Sequence, residues 1–330
     1  DTSGSMNSKL YSSVQVYYPL DVATDSSGNV YVMEYYNNRI KVFDSSGAYL
    51  RSFGGYGTNC NQWRYARQFD IHNDKIYIAD TYGHRLKVLN LTGGCLHRTT
   101  LAYSYPHGIA VSDKYIYVGN NTSRIWIHKK GNSINNMNNH NAGSNLSYSW
   151  GMSLNNGDSR LIIGDYVKNR LAEFRINNTN FGSGGQAMLS YVQATSNTYS
   201  SSNGYFRRPT DGAYDSSGNI YGLDLYNHRM QKFNSSLSYQ AKVGSYSTSS
   251  GFRYPYGMHI DSSDNIYVTD FYNYAVRKYN TSLSETATYG GGGGTLLDAA
   301  KKVIKKIVSN TDLTSGANFG FMQWASSNTI

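Results

Sequence analysis

Six times between Tyr18 and Tyr289 the chain repeats one order of events. A small or Pro-led opening is followed by a turn, an Ile/Leu/Val-Tyr strand ending in an acid or amide, and an Arg-led strand. A unit of about 40 residues cannot bury its own apolar face, so the fold has to come from stacking the copies in a ring or an array. The first copy reads YPLDVATDSSGNVYVMEYYNNRIKVFDSSGAYLRSFG from Tyr18, and the fifth, RPTDGAYDSSGNIYGLDLYNHRMQKFNSSLSYQAKVG from Arg208, follows it almost position for position. Copy six starts at Tyr254, and copies two to four are more diverged but keep the order.

Each copy divides into four short strands, in copy one Leu20 to Asp25, Val30 to Tyr35, Arg39 to Asp44 and Tyr49 to Phe53. The turn DSSGN at Asp25, repeated at Asp215 and as DSSDN at Asp261, suits a tight hairpin. Four antiparallel strands make a propeller blade, so the expected fold is all-β with six blades, closed so that no sheet edge stays open.

One column of residues ends the second strand: Glu34, Asp80, Asn120, Asp165, Asp224 and Asp270. Just beyond stand Arg39, Arg85, Arg124, Arg170 and Arg229, with Ala275 in the last slot. Recurrence in nearly every copy marks these pairs as structural pins between a strand corner and its neighbour. The innermost strand carries a second column, Asp21, Gln68, Gly108, Gly151, Asp211 and Gly257, which is expected around the central channel. The residues before it break the symmetry, and Arg67, His107, Trp150 and Tyr256 together offer aromatic faces and a cation for a sugar, peptide or base.

The 32 tyrosines are the strongest compositional bias, and with Val, Ile and Thr they fit half-buried strands. The formal charge of +9 fits attraction to anionic glycans, surface polymers or nucleic acid, yet the one dense basic cluster is Lys301 to Lys306, outside the repeats. That distribution counts against nucleic acid as the partner. Cys60 and Cys95 lie within one repeat length and either pair, in an exported protein, or remain separate thiols. No window of about 18 uninterrupted apolar residues offers a membrane span. No signal peptide is visible after Asp1, and a leader is expected to lie outside the sequence.

The repeats resemble NHL-repeat β-propellers in the Pro-x-Asp/Gly opening, the Gly-Asn-x-Tyr-Val hairpin, the Asp-x-x-Asn-x-Arg corner and the Lys-Phe/Tyr strand. The resemblance covers residues 14–290. Beyond Tyr289 the pattern changes: Gly290 to Gly294 is a flexible joint, Leu296 to Asn310 has apolar residues at helical spacing, and Asn318 to Ser326 reads as a strand.

The chain starts DTSGSM, which places Asp1, Ser3 and Ser5 on one loop as hard oxygen ligands for Mg²⁺ or Ca²⁺. This loop, with the later helix and strand, resembles a von Willebrand factor A domain, an α/β fold, interrupted by the propeller just after its metal loop. Insertion at a surface loop is tolerated when the inserted ends lie close together. The arrangement is similar to type IV pilus-tip adhesins of the PilC/PilY class. It implies an A-domain fragment at 1–13, a propeller at 14–290 and a linker with A-domain helix and strand at 291–330. The Thr and Asp that complete that family's metal site are absent from the sequence, so the site is expected to be incomplete.

The resulting expectation is a non-enzymatic adhesion or recognition module at a bacterial cell surface, its partners a protein, glycan or surface together with pilus components. A metal-dependent hydrolase or lyase using Asp21, Asp211 and His107 is the alternative of another class. The eight histidines scatter over different repeat positions, and no Gly-x-Ser-x-Gly, phosphate loop or His-Glu-x-x-His appears. RNA binding, known of some NHL domains, is the third reading and predicts a steep dependence on salt.

Overall fold

A computed structural model of the chain describes residues 15–102, 105–130, 137–177, 188–248 and 251–290. They form six four-stranded antiparallel sheets, each built from consecutive strands. We number these blades I (19–54), II (68–100), III (109–141), IV (149–194), V (209–243) and VI (255–290). In blade I the strands run Pro19–Thr24, Val30–Glu34, Arg39–Phe43 and Tyr49–Gly54, within one residue of the expected boundaries. Asp1, Ser3 and Ser5, the expected helix at 296–310 and the strand at 318–326 lie outside the described residues.

Burial shows why the copies need one another. The second strand of each blade is covered on both faces, whereas the fourth strand of blade I alternates between half-buried and exposed residues. Apolar residues gather into six clusters, one at each blade junction. Tyr31, Met33 and Ile40 of blade I meet Phe69, Ile76 and Ile78 of blade II in one of them. Val22, Val32 and Phe43 of blade I meet Tyr267, Val276 and Tyr289 of blade VI in another, which closes the ring. Half of every core layer is contributed by a neighbour, so a single copy has nothing to fold against.

The hairpins are held by their own acids. Asp25 accepts the backbone N–H groups of Ser27 and Asn29 at 3.0 and 2.9 Å, and the Tyr31 hydroxyl closes on its other oxygen at 3.1 Å. Asp215 with Tyr221 and Asp261 with Tyr267 repeat the device at 3.0 and 3.2 Å. The recurring DSSGNxY string is therefore a capped turn whose tyrosine reaches back to the cap.

The corner column pins the end of the second strand to its neighbouring strand and to the approach of the same blade. Asp224 accepts Arg229 Nε at 2.7 Å and the backbone N–H of Arg207, on the approach to the innermost strand, at 2.7 Å. Asp270 joins Arg277 and the Arg253 N–H in the same way at 2.8 and 2.7 Å. The cation in blade VI stands two residues beyond Ala275, on the same strand face, because side chains repeat with period two. At Asp80 the partner is Lys87 at 3.1 Å, with both side chains fully buried, in place of Arg85. A carboxylate in this position ties three parts of a blade together, which explains its recurrence.

Candidate functional site

The innermost strands Pro19–Thr24, Gln68–His72, Ile109–Val111, Ser149–Leu154, Pro209–Tyr214 and Pro255–Ile260 surround the channel. At its waist the second expected column crosses from blade to blade. Asp21 accepts the Phe69 N–H of blade II at 2.9 Å, and Asp211 accepts the Met258 N–H of blade VI at 3.0 Å. Gln68 spans three blades: its carbonyl takes the N–H groups of Ile109 at 2.6 Å and Met152 at 3.2 Å. The glycines of the column are spacers. A Cβ on Gly151 would stand 2.6 Å from Asp211 Oδ1, and one on Gly257 would meet Asp21 Oδ1.

These waist carboxyls sit in an unfavourable place for charge. Burial, reinforced by the nearby Asp211, holds Asp21 well above the usual carboxylate range. Burial pushes Asp211 up to about 7 and, two residues along from Gln68, Asp70 up to about 6. Asp70 escaped the sequence reading, although a period of two along the strand placed it on the Gln68 side. It accepts the Val111 N–H of blade III at 2.8 Å and so repeats the cross-blade tie one step further along.

Beyond the waist, on the side of the DSSGN turns, the channel widens into a cavity of about 310 Å³. Its wall carries Asp70, Asp158, Asp215, Asp261 and Asp264 together with His72 and His259. Asp215 and Asp261 are turn caps. His259 shares a 3.0 Å hydrogen bond with the Thr24 hydroxyl, and burial lowers its pKa to about 4. Among the described residues, no three of His, Cys, Asp and Glu stand together as a metal-binding group.

The opposite mouth is where Arg67, His107, Trp150 and Tyr256 come together. The Arg67 guanidinium lies 4.1 Å from the centre of the Trp150 ring, and Trp150 stacks on Tyr256 at 5.8 Å and on Tyr166 at 4.7 Å. His107 packs edge-on to Tyr148 at 4.9 Å. Burial and the Arg67 charge lower the His107 pKa to about 3, which keeps the imidazole neutral at physiological pH. The rings fill most of the mouth themselves, and about 10 Å³ of space is left between them and the waist. They form a floor rather than a pocket.

Around this floor runs a belt that composition alone assigned to strands. Tyr105, Tyr82, Tyr65, Tyr35, Tyr36, Tyr18, Tyr272, Tyr254 and Tyr226 follow one another in ring contact, with centroids 4.8 to 6.0 Å apart. They come from two positions of the repeat, the residue before the Pro-led strand and the pair after the corner acid. Tyr36, Tyr82, Tyr105, Tyr226 and Tyr272 are exposed, Tyr36 to 56%. Tyr18, Tyr65, Tyr105 and Tyr254 hold left-handed backbone, with φ between 48° and 59°. A tyrosine there costs on the order of 1–2 kcal/mol relative to a conformation without that strain. Glycine or asparagine would suit the backbone better, and at the same position in blade V Arg208 (φ 58°) bears the strain instead of a tyrosine. The signal was present in the sequence as the recurring Tyr-Pro and acid-x-Tyr pairs.

Cys60, in the loop from blade I to blade II, is joined to Cys95 in blade II as a disulfide, with Cα atoms 5.5 Å apart.

Comparison with known proteins agrees with this architecture. Residues 16–43 match the NHL repeat. No curated protein sequence matches the chain. A streptogramin B lyase structure is similar in fold, with 14% identity, coverage of 84% of both chains and a TM-score of 0.59. An auxiliary nutrient binding protein from Bacteroides thetaiotaomicron shares 10% identity over 80% of this chain and 69% of its own, with a TM-score of 0.63. A virginiamycin B lyase from Staphylococcus aureus shares 12% identity over 84% of this chain and 87% of its own, with a TM-score of 0.54. At such identities the likeness is one of fold.

Proposed function

We propose that this chain is a non-enzymatic recognition module, and that the propeller binds a protein, glycan or other surface through its tyrosine-lined face. The observation that carries this reading is the belt of nine tyrosines in unbroken ring contact, four of them on strained backbone. Tyrosine offers large, rigid contact area with a polar tip, at low entropic cost, which is what a recognition surface needs. The floor of Arg67, Trp150, His107 and Tyr256 lies within the same face and belongs to the proposed contact area. Asp21 and Asp211 stand behind it at the waist.

The setting we propose is extracellular, at a bacterial cell surface. The Cys60–Cys95 disulfide fits an oxidising compartment. The DTSGSM loop and the later helical pattern support placement within an A domain of a type IV pilus-tip adhesin, with Asp1, Ser3 and Ser5 as oxygen donors to Mg²⁺ or Ca²⁺. Attachment of cells displaying the full protein tests the reading. Exchanging Tyr36 and Tyr82 for alanine should abolish attachment while the melting temperature holds. Attachment that survives deletion of residues 14–290 would refute it.

One observation favours a second reading. Asp211, held near pKa 7 at the channel waist, has the protonation behaviour of a general acid or base in a hydrolase or lyase. A substrate screen in which Asp211→Asn leaves every turnover unchanged, with no metal found by elemental analysis, would remove it.

A further inference from the structure

Arginines recur at two places in this fold. Those of the corner column, Arg39, Arg170 and Arg229, together with Arg277, pair with the buried acids of their own blades. A second set stands on the approach to the innermost strand, and its members recur at three junctions. Arg64 lies over Tyr56 at 5.6 Å, Arg207 over Tyr199 at 5.2 Å and Arg253 over Tyr246 at 5.7 Å.

In each case the tyrosine belongs to the loop between two blades and is among the most exposed large residues, at 60%, 53% and 60%. Each loop is closed by the same bridge, Tyr56 with Trp63, Tyr199 with Phe206 and Tyr246 with Phe252, so the three pairs are built alike. The Phe or Trp of each bridge is fully buried, which anchors the loop beside its arginine. None of the three guanidinium groups has a carboxylate partner among the described residues. Three half-buried cations, each held against a tyrosine on a loop built in the same way, have no negative group to meet among the described residues.

We infer that the three Arg–Tyr pairs are equivalent subsites for an acidic polysaccharide, one carrying a carboxylate on some of its sugar rings. This rests on the proposed recognition face and specifies its ligand. A guanidinium fork takes a carboxylate through two parallel hydrogen bonds, while the exposed tyrosine offers a flat face to the C–H side of a sugar ring. One cation set against an exposed tyrosine at each of three blade junctions suits a polymer whose charges are spaced by rings. A nucleic acid, with a phosphate at every nucleotide, would call for a denser basic track. Repetition at three junctions converts weak single contacts into a strong multivalent one.

Binding of the full chain to polygalacturonate, neutral dextran and poly(U) tests the assignment. Polygalacturonate should bind, and dextran should not. Arg64→Ala, Arg207→Ala and Arg253→Ala should each raise the half-saturating concentration by about threefold to tenfold, and the triple variant by about a hundredfold or more. Arg207→Lys, which keeps the charge and loses the fork, should fall between wild type and Arg207→Ala. Undiminished binding by a triple variant with an unchanged melting temperature would overturn the assignment, as would equal binding to dextran. Stronger competition by poly(U) at equal charge would transfer the face to nucleic acid. Tyr36→Ala and Tyr82→Ala lie outside the three pairs. If they abolish attachment while the arginine variants leave polygalacturonate binding intact, the subsites fail and the recognition face stands.

Discussion

Asp21 and Gly257 meet across the seam between the first and last blades: Asp21 Oδ1 occupies the space that a side chain at Gly257 would need. The same carboxyl binds the Phe69 N–H of blade II at 2.9 Å, so one residue touches three consecutive blades.

Gly257→Ala should therefore act on ring closure. The added Cβ would also stand 2.6 Å from the Leu20 carbonyl oxygen, a backbone atom that has little freedom to move. A loss of about 2–4 kcal/mol is expected, within the range for overpacking that displaces backbone. Urea unfolding of the variant measures it, and an unchanged midpoint would contradict the role given to this contact.

The waist also sets a pH dependence. Asp211 titrates near 7 when folded and in the ordinary carboxylate range when unfolded, so the folded state holds the extra proton between those values. Stability should be full below about pH 4, fall as pH rises towards 7, and level off above that, by on the order of 4 kcal/mol for this group alone. Asp211→Asn should flatten the slope in that window. A variant with the wild-type slope would show that the charge is not where the fold places it.

Asp80 and Lys87 form a fully buried pair at 3.1 Å, and Asp80 also accepts the Arg64 N–H at 2.7 Å. Removing the acid strands a buried ammonium, so Asp80→Ala should cost about 3–5 kcal/mol. Asp80→Ala with Lys87→Met should recover part of that loss. Thermal melts of the three proteins decide the matter.

The Cys60–Cys95 bond closes a loop with a sequence separation of 35. In the chain-entropy account it restricts the unfolded state by about 3–4 kcal/mol. Dithiothreitol should lower the melting temperature of wild type and leave Cys60→Ser with Cys95→Ser unaffected. Equal shifts in both would mean the thiols are free.

Much of the ring was legible because a blade is a local object: strand periodicity, capped turns and corner acids all recur within 40 residues. Asp21, Gln68 and Asp211 could be aligned for the same reason. What spacing could not give is how far a side chain reaches. Asp224 reaches the approach of its own blade, and Gln68 reaches across two others, facts that no spacing reveals. The tyrosine belt failed to register for a further reason. Its members sit at bends, one to three in each of five copies, and become a surface only when the copies stand side by side. In blade VI, where Ala275 fills the slot, Arg277 supplies the cation from two residues further along the same strand face.

Each sheet is made from one continuous stretch of chain, and the first and last described residues come to the same seam, where a Cβ on Gly290 would meet the buried Val16 at 2.5 Å. A pull applied through both ends would thus fall first on that junction and on the contact of Asp21 with blade VI. Once it parted, blades would peel off one at a time from either side, because no strand is shared between distant copies to lock them. Were both ends tethered, the strength of the ring under tension would be that of one seam.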